Sequence, residues 1–318
     1  MKILKKLKKF NLIDFAVPII DLICPIKYSP NGKYNNRYFI NCLIDFLKIG
    51  ISWNKYKGSH EYPINGKYLN QIHNRYKREG VYDEIEKHIK NKYLKTGREH
   101  KLKIQIIDSS FIQNKQGCIK NNNHLLSNEE QQKNIKIREN NKNLPKRKRK
   151  KERKFIDFNR YNGRKKYFRI SVITNSDGKP LERSISSSKR SDSTTLIENV
   201  NNLPSNLNTL QNSKINRYKQ YFLGDSGYDT KKNKNFLKEK GYTPLIKYNK
   251  RNCKNKEIIK NNIFKGKHKQ IYKKRPIIEN FFAWIKNYPV INQNYQKTIQ
   301  SYDGLFSLAC SLIISKGI

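Results

Sequence analysis

The chain has 318 residues, which is enough for one or two domains with a proper hydrophobic core. Its formal net charge of +43 indicates a polyanionic partner, nucleic acid first and an anionic membrane surface second, although an AT-rich base composition accounts for part of the lysine content. The five cysteines are scattered and never form a Cys-x-x-Cys pair, which argues against a disulfide framework and against a zinc site.

The N-terminal segment, residues 1–25, is a basic and partly apolar lead-in for which the sequence suggests no function. It begins like a signal peptide, but acidic residues interrupt the apolar stretch, so we expect no export. The apolar residues 305–314 are too few to span a bilayer and are predicted to form a core helix of the C-terminal domain. The histidines show no ligand spacing, and we expect them, including His73, to lie at the surface.

Residues 26–100 are predicted to be helical, because apolar residues recur there at helical spacing and glycines break the pattern. A helix-turn-helix-like role on DNA and a plain helical packing unit remain equally compatible with this pattern. The individual helices are predicted at residues 37–49, 68–77 and 81–93.

Two acidic residues come at the ends of short apolar runs. Asp108 ends the run at residues 103–108, and Asp225 follows the run at residues 221–223. Short apolar runs are typical of buried strands, so both carboxylates are predicted at strand ends. Carboxylate oxygens in such a position suit Mg²⁺, which prefers oxygen ligands and takes few from the protein.

A polar and basic insertion is predicted between these strands, at about residues 113–154. Its dense basic run is expected to be disordered until it meets a polyanion, and Lys146, Arg147 and Arg149 are its predicted phosphate-binding residues. A nuclear localisation signal and a simple solvated loop are the alternatives for the same run.

A hairpin is predicted next, with strands at residues 167–173 and 181–185 around a turn that contains Gly178. Asp192 then precedes a helix, and we predict that it caps this helix rather than joining the site as a further carboxylate. Asp229 is likewise predicted to cap the helix at residues 231–240 rather than to bind metal.

An amphipathic helix is predicted from Pro276, which suits a first helical position, to Lys286. Glu279 and Lys286 lie two helical turns apart, so they share a face of this helix. The predicted core-facing residues of the helix are Ile278, Phe281, Phe282 and Ile285. Together with Asp108 and Asp225, Glu279 completes a set of carboxylates that could hold two Mg²⁺ ions for phosphodiester chemistry.

A known signature is resembled by four residues at set spacings: Tyr272, two residues, Arg275, three residues, Glu279, six residues, Lys286. It is that of DDE transposases of the bacterial insertion-sequence type, closest to the insertion sequence five group of the insertion-sequence-four class. The segments around Asp108 and Asp225 also resemble the two aspartate motifs of that family. One departure is the stretch before Asp192, where the family usually carries a histidine and this chain does not.

The resemblance implies an α/β fold, a ribonuclease-H-like catalytic core whose mixed sheet is flanked by helices, at residues 101–318, behind the small helical domain. It also implies two Mg²⁺ ions, for which Mn²⁺ can substitute, held by Asp108, Asp225 and Glu279. These ions would serve cleavage at element ends and strand transfer into target DNA, while Tyr272, Arg275 and Lys286 contact phosphates.

The partners implied by the resemblance are double-stranded DNA, as transposon ends and target, and a second copy of the chain in a homodimer. We expect no membrane association. The protein would act in a prokaryotic cytoplasm or nucleoid, or in a nucleus or viral factory if the host is a eukaryote or a large virus. The alternatives are a non-catalytic DNA-binding protein derived from a transposase and a nuclease on the same fold.

Overall fold

The structure is a computed structural model that describes residues 10–26, 34–96, 99–115, 125–142, 144–148, 150–152, 154–158, 165–204, 219–249 and 264–318. Within these ranges the helices are α1 (Leu12–Ile23), α2 (Asn36–Ile49), α3 (Gly66–Arg78), α4 (Val81–Leu94), α5 (Asn128–Lys142), α6 (Asp192–Asn201), α7 (Lys231–Glu239), α8 (Gly266–Tyr272), α9 (Ile277–Lys286), α10 (Pro289–Asn292) and α11 (Ile299–Ser315). The strands are β1 (Ile104–Asn114), β2 (Asp157–Phe158), β3 (Lys166–Asn175), β4 (Pro180–Ser186), β5 (Gln220–Gly224), β6 (Tyr242–Ile246) and β7 (Gln293–Asn294).

The chain divides into two compact units. The helical unit comprises Met1–Arg98, Ile285–Ile291 and Gln300–Ile318. The sheet unit comprises Glu99–Trp284 and Asn292–Ile299. Among the described helices, none combines the length and the apolar character that crossing a bilayer requires.

Capping residues and aromatic packing define the helical unit. The side chain of Asn35 accepts a hydrogen bond from the backbone N–H of Tyr38 at the start of α2. Gly50 ends that helix with a positive φ of 76°, a conformation that glycine adopts without strain. Phe46 of α2 then stacks on Trp53, with ring centroids 3.8 Å apart, and both side chains are buried.

The helical unit contains two segments that the sequence analysis had not assigned to it. Helix α1 lies within the predicted lead-in, and it packs against α2 and α4. Residues 305–314 do lie in a buried helix, α11, but that helix belongs to the helical unit. Its Gly304 allows close packing, because a Cβ there would come within 2.9 Å of the Tyr82 ring.

The prediction that His73 lies at the surface is wrong, because the side chain is fully buried. Its two ring nitrogens hydrogen-bond to the Tyr82 hydroxyl at 2.7 Å and to Ser301 at 3.0 Å. A histidine with both nitrogens satisfied can be buried in its neutral form, which hydropathy patterns alone do not reveal.

The sheet unit is built on the strand order β4-β3-β1-β5-β6. Strand β3 pairs antiparallel with β1 and β4, whereas β5 pairs parallel with both β1 and β6. The predicted hairpin is present, and its turn uses Gly178 at a φ of 72°. Helices α6 and α7 pack together, and α7 also packs against β6.

Strand β1 does not end at Asp108 as predicted but continues to Asn114. It remains paired with β3 over this length, from Gln105 opposite Asn175 to Asn114 opposite Lys166. On its other side, β5 pairs with residues 104–106 and β7 with residues 113 and 114, so Asp108 lies in the interval between these two partners. The polar residues after Asp108 misled the prediction, because a strand with one half-buried side tolerates them.

The predicted insertion contains a helix in its described part, α5 (Asn128–Lys142), which precedes the dense basic run. A capping box begins this helix. Ser127 and Glu130 each accept a hydrogen bond from the other's backbone N–H. Glu130 is itself buried, and its carboxylate accepts a hydrogen bond from the Ser187 hydroxyl, which ties α5 to the end of β4.

Candidate active site

Two neighbouring parallel strands bring Asp108 and Asp225 to the same level of the sheet. Ile106 of β1 lies beside Leu223 of β5, and continuing this register by two residues sets Asp108 beside Asp225. Both strands are anchored by buried apolar side chains before these positions, including Ile107 and Leu223. The sheet therefore fixes the backbones of both aspartates.

Gly227 allows a third carboxylate to approach Asp225. Its backbone N–H donates to Asp225 Oδ1 at 2.8 Å. A Cβ at this position would lie 3.0 Å from Asp225 Oδ1 and 3.4 Å from Asp192 Oδ2. The carboxylates of Asp225 and Asp192 thus flank one point above the Gly227 backbone, and any side chain there would crowd them.

Asp192 is a member of this group, so the prediction that it caps a helix is wrong. Ser191 occupies the cap position of α6, while the Asp192 carboxylate accepts hydrogen bonds from Arg169 and from the Ser109 hydroxyl. A guanidinium and a hydroxyl on neighbouring strands compete better for this carboxylate than the helix N–H groups do. An arginine between Phe168 and Ile170 of strand β3 was the sequence signal for this arrangement.

Asp108 lies in an unfavourable environment for a charge. Its side chain is only 18% exposed, and burial raises the pKa of its carboxyl from 3.8 to about 6. The nearby Asp225 and Asp192 raise this pKa further, while Arg275 and the Ser109 N–H oppose the shift. The same three aspartates also act on the buried Tyr228. Burial raises the pKa of its hydroxyl, and each aspartate adds to this shift.

Arg275 bridges Asp108 and Glu279. One of its terminal nitrogens lies 2.8 Å from Asp108 Oδ2, and the other lies 2.8 Å from Glu279 Oε1. Helix α9 begins at Ile277, one residue after the predicted start, and its predicted core-facing residues are all buried. Glu279 consequently faces away from that core with 60% of its side chain exposed, and its carboxylate reaches Asp108 through Arg275.

Tyr272 supports the end of β5. Its hydroxyl donates to the carbonyl of Gly224, the residue before Asp225, at 3.2 Å. Burial raises the pKa of this hydroxyl, so it remains a donor at neutral pH. The Tyr272 ring also lies 4.8 Å from the Phe264 ring and 4.9 Å from Lys247 Nζ.

A cavity of about 610 Å³ opens beside Asp225. Its positive charge comes from Lys247, Lys269, Lys273 and Arg275, and Tyr272 and Phe264 supply aromatic walls. A basic and aromatic surface of this kind next to a group of carboxylates can hold an anionic group while the carboxylates face its reacting end.

The other predicted residues are spread more widely. Lys286 ends α9, and burial lowers the pKa of its amine. Arg147 is exposed, while the side chain of Lys146 and all of Arg149 lie outside the described residues. Asp229 does not cap α7, because Thr230 does so. Its carboxylate instead accepts a hydrogen bond from the Asn249 N–H and pairs with Lys234.

The carboxylates have the right chemistry for hard divalent cations, although they are not drawn together as a finished metal site. Among the described residues, no three His, Cys, Asp or Glu side chains are grouped closely enough to hold a metal ion. Burial raises the pKa of Asp108, and repulsion from Asp225 and Asp192 adds to the shift; a cation would stabilise the charged carboxylate, as Arg275 does at that place. The carboxylates of the site therefore suit a divalent cation.

A family model described as a transposase DDE domain matches residues 99–314. No curated protein sequence matches the chain. A solved structure of the Mos1 transposase paired-end complex with the left transposon end is similar over 85% of this chain and 68% of its own, with 10% identity and a TM-score of 0.24. Together with the strand order of the sheet unit, the family match confirms the ribonuclease-H-like, mixed-sheet fold.

Proposed function

We propose that this chain, which belongs to the family of transposase DDE domains, is a DNA transposase that cuts the ends of a mobile element and joins them to target DNA. One observation carries the proposal. Asp108 lies on β1, Asp225 directly follows the neighbouring parallel strand β5, and Arg275 connects Asp108 to Glu279 on α9. The three acidic residues singled out by the sequence thus belong to one charge-linked group.

The carboxylates of Asp108, Asp225 and Glu279 would hold two Mg²⁺ ions, or Mn²⁺ in their place. When bound, these cations would activate the attacking hydroxyl and stabilise the leaving oxygen of the phosphodiester. The β1–β5 register and the Gly227 N–H would keep the two aspartates oriented for this task. Glu279 would complete the set once its carboxylate is released from Arg275.

Arg275 would have two roles in succession. In the free protein it neutralises the buried Asp108 and pairs with Glu279. When DNA and cations enter, we propose that its guanidinium turns to the phosphate next to the reacting bond, because its planar fork suits two phosphate oxygens. Tyr272 would keep the end of β5 in place during this exchange.

The basic cavity beside Asp225 would receive the DNA backbone. Lys247, Lys269 and Lys273 line it, and the net charge of +43 would attract DNA from a distance. Residues 26–100 remain a candidate region for further contacts with the element ends. We also propose that two copies of the chain act together, since cutting and joining involve two ends.

A non-catalytic DNA-binding protein is the second candidate, and one observation favours it. Glu279 is paired with Arg275, and no metal-binding group of three side chains is preformed among the described residues. A chain that had lost its chemistry could keep this ion pair permanently and still bind DNA through its basic surface.

The deciding experiment uses the DNA that flanks this protein's own gene. Purified wild type and Glu279→Gln are incubated with this DNA, Mg²⁺ and a target plasmid, and the 3′ ends and joined products are mapped. We expect breaks at matched inverted repeats and joined products with wild type, and bound but uncut DNA with Glu279→Gln. Glu239→Gln, an exposed glutamate at the end of α7, is the matched control and should cut normally.

Each other outcome has a definite meaning. Binding without cleavage by both proteins would support the DNA-binding candidate. Cleavage without joining would point to a nuclease on the same fold. Equal loss of binding and cleavage in Glu279→Gln would contradict the role given to that carboxylate, because the substitution removes a charge and adds no bulk.

A further inference from the structure

A second arginine, Arg169 of β3, reaches the candidate site and pairs with Asp192. Arg169 lies on β3 directly across from Phe111 of β1, and its guanidinium packs over the Phe111 ring at 4.6 Å. Only 12% of the Arg169 side chain is exposed. The stacking and the burial fix the guanidinium in place, so its charge is a permanent feature of this region.

Arg169 pairs with Asp192, and a short chain of hydrogen bonds leads from that pair to Asp108. Arg169 Nη1 donates to Asp192 Oδ1 and lies 3.4 Å from the Ser109 hydroxyl oxygen. The Ser109 hydroxyl donates to the same Asp192 oxygen at 2.5 Å, and the Ser109 N–H donates to Asp108 Oδ1 at 2.8 Å. Ser109 therefore links the pair to the carboxylate on its own strand.

Asp192 also faces the second aspartate of the site. A Cβ on Gly227 would lie 3.4 Å from Asp192 Oδ2 and 3.0 Å from Asp225 Oδ1, so both carboxylates lie next to the Gly227 backbone. Asp192 also contributes to raising the pKa of Asp108, so its charge acts at that carboxyl. An unpaired Asp192 would add a full negative charge to this group, and an unpaired Arg169 would add a positive one.

We propose that Arg169 and Asp192 form a charge-balanced pair beside Asp108, and that this balance sets the affinity of the candidate site for divalent cations. The inference rests on the proposed function, because it concerns the cations assigned to Asp108 and Asp225. The pair fixes the first residue of α6 to strands β1 and β3 at the level of Asp108. Its two charges cancel, which leaves the affinity for cations to the remaining carboxylates.

The test uses Mn²⁺ alone as the probe and the full chain without DNA, with bound Mn²⁺ measured by electron paramagnetic resonance. Asp192→Asn leaves Arg169 unbalanced, so the half-saturating Mn²⁺ concentration should rise by roughly three- to tenfold. Arg169→Gln leaves Asp192 unbalanced, so this concentration should fall by a similar factor. The double variant removes both charges and should return to within about twofold of wild type.

The opposite signs separate charge balance from a merely structural role. Loss of structure would weaken Mn²⁺ binding in both single variants, and a common direction would overturn the proposal. Arg169→Lys keeps the charge and should stay near wild type, so a shift as large as that of Arg169→Gln would also overturn it. Arg169→Gln is the decisive single variant, because charge balance predicts tighter Mn²⁺ binding there and loss of structure predicts weaker binding.

Matched controls come from another ion pair of the sheet unit. Lys101 and Asp177 are paired at 2.8 Å and are partly exposed, and Lys101→Gln and Asp177→Asn should leave the Mn²⁺ titration unchanged. If wild type binds Mn²⁺ and Asp225→Asn does not, the cation assignment stands, and equal titrations of wild type and the pair variants would overturn this inference alone. Failure of wild type to bind Mn²⁺ would overturn the cation assignment and this inference with it.

Discussion

The buried polar groups of the helical unit and those of the sheet unit are organised in opposite ways. In the helical unit, His73 is fully buried and neutral, since burial lowers its pKa to about 4, and both its nitrogens have partners. Glu86 is also buried, but Lys90 lies 2.7 Å away on the same helix and the Ser307 hydroxyl donates to it at 2.6 Å. His73 thus carries no charge, and the charge of Glu86 is balanced by that of Lys90.

The candidate site gathers like charges instead. Burial raises the pKa of Asp108 and the nearby Asp225 and Asp192 add to this shift, although Arg275 and a backbone N–H stabilise its charge. The difference teaches that burial of polar groups is not in itself a sign of function. Carboxylates left in mutual repulsion are such a sign, because a fold selected for stability alone would separate them.

The largest expected effect separates activity from stability at Asp108. Asp108→Asn should lower DNA cleavage by at least roughly 10²- to 10³-fold, because a charged group that would stabilise the transition state is removed. The same substitution should keep or raise the stability of the cation-free protein at neutral pH, because asparagine resembles the protonated form that burial favours. Cleavage assays and urea unfolding of the same preparations provide both measurements.

Loss of stability in Asp108→Asn comparable to that of a core truncation would contradict this contrast. Glu86→Gln in the helical unit serves as the reference, since it removes one charge of a matched pair and leaves the half-buried Lys90 without its partner. We expect that variant to be less stable and to cut DNA normally for the fraction that remains folded.

The pH dependence of stability should have the sign that a raised carboxyl pKa requires. Folding raises the pKa of Asp108 from 3.8 to about 6, so the folded state binds a proton more tightly than the unfolded state. Wild-type stability relative to Asp108→Asn should therefore fall as the pH rises from about 4 to about 6 and then level off, a loss of roughly 2 to 3 kcal/mol. Urea unfolding of both proteins at a series of pH values, without divalent cations, measures this difference. A constant difference across that range would show that Asp108 is not held in an unfavourable environment.

The sequence predicted the framework of the sheet unit well, because its strands are short apolar runs with clear turns. The β3–β4 hairpin and β5 appear where the pattern placed them, and the buried face of α9 follows helical spacing. Asp108 and Asp225 were found because each follows such a run. Periodicity detects these features, since it reports which side chains are buried.

The missed features depend on contacts between distant parts of the chain. Asp192 stands where a helix cap is expected, and only the fold shows that Arg169 and Ser109 bind its carboxylate. The burial of His73 depends on Ser301, which lies far along the chain. Local propensity cannot weigh a cap against a partner that arrives from another strand or helix, so polar residues with long-range partners were assigned wrongly.

A matched pair of serine substitutions gives the smallest and most direct test of the comparison. Ser307 and Ser109 each donate a hydroxyl hydrogen bond to a carboxylate, Glu86 at 2.6 Å and Asp192 at 2.5 Å. Ser307→Ala should cost about 1 kcal/mol of unfolding free energy and leave cleavage unchanged, because Glu86 keeps Lys90. Ser109→Ala should change stability less but lower cleavage by roughly tenfold, since the residue next to Asp108 loses its link to the Arg169–Asp192 pair. Urea unfolding and cleavage rates of the two variants decide the matter. If both variants changed the unfolding free energy and the cleavage rate equally, the polar groups of the two units would not differ in role, which would contradict the contrast between them.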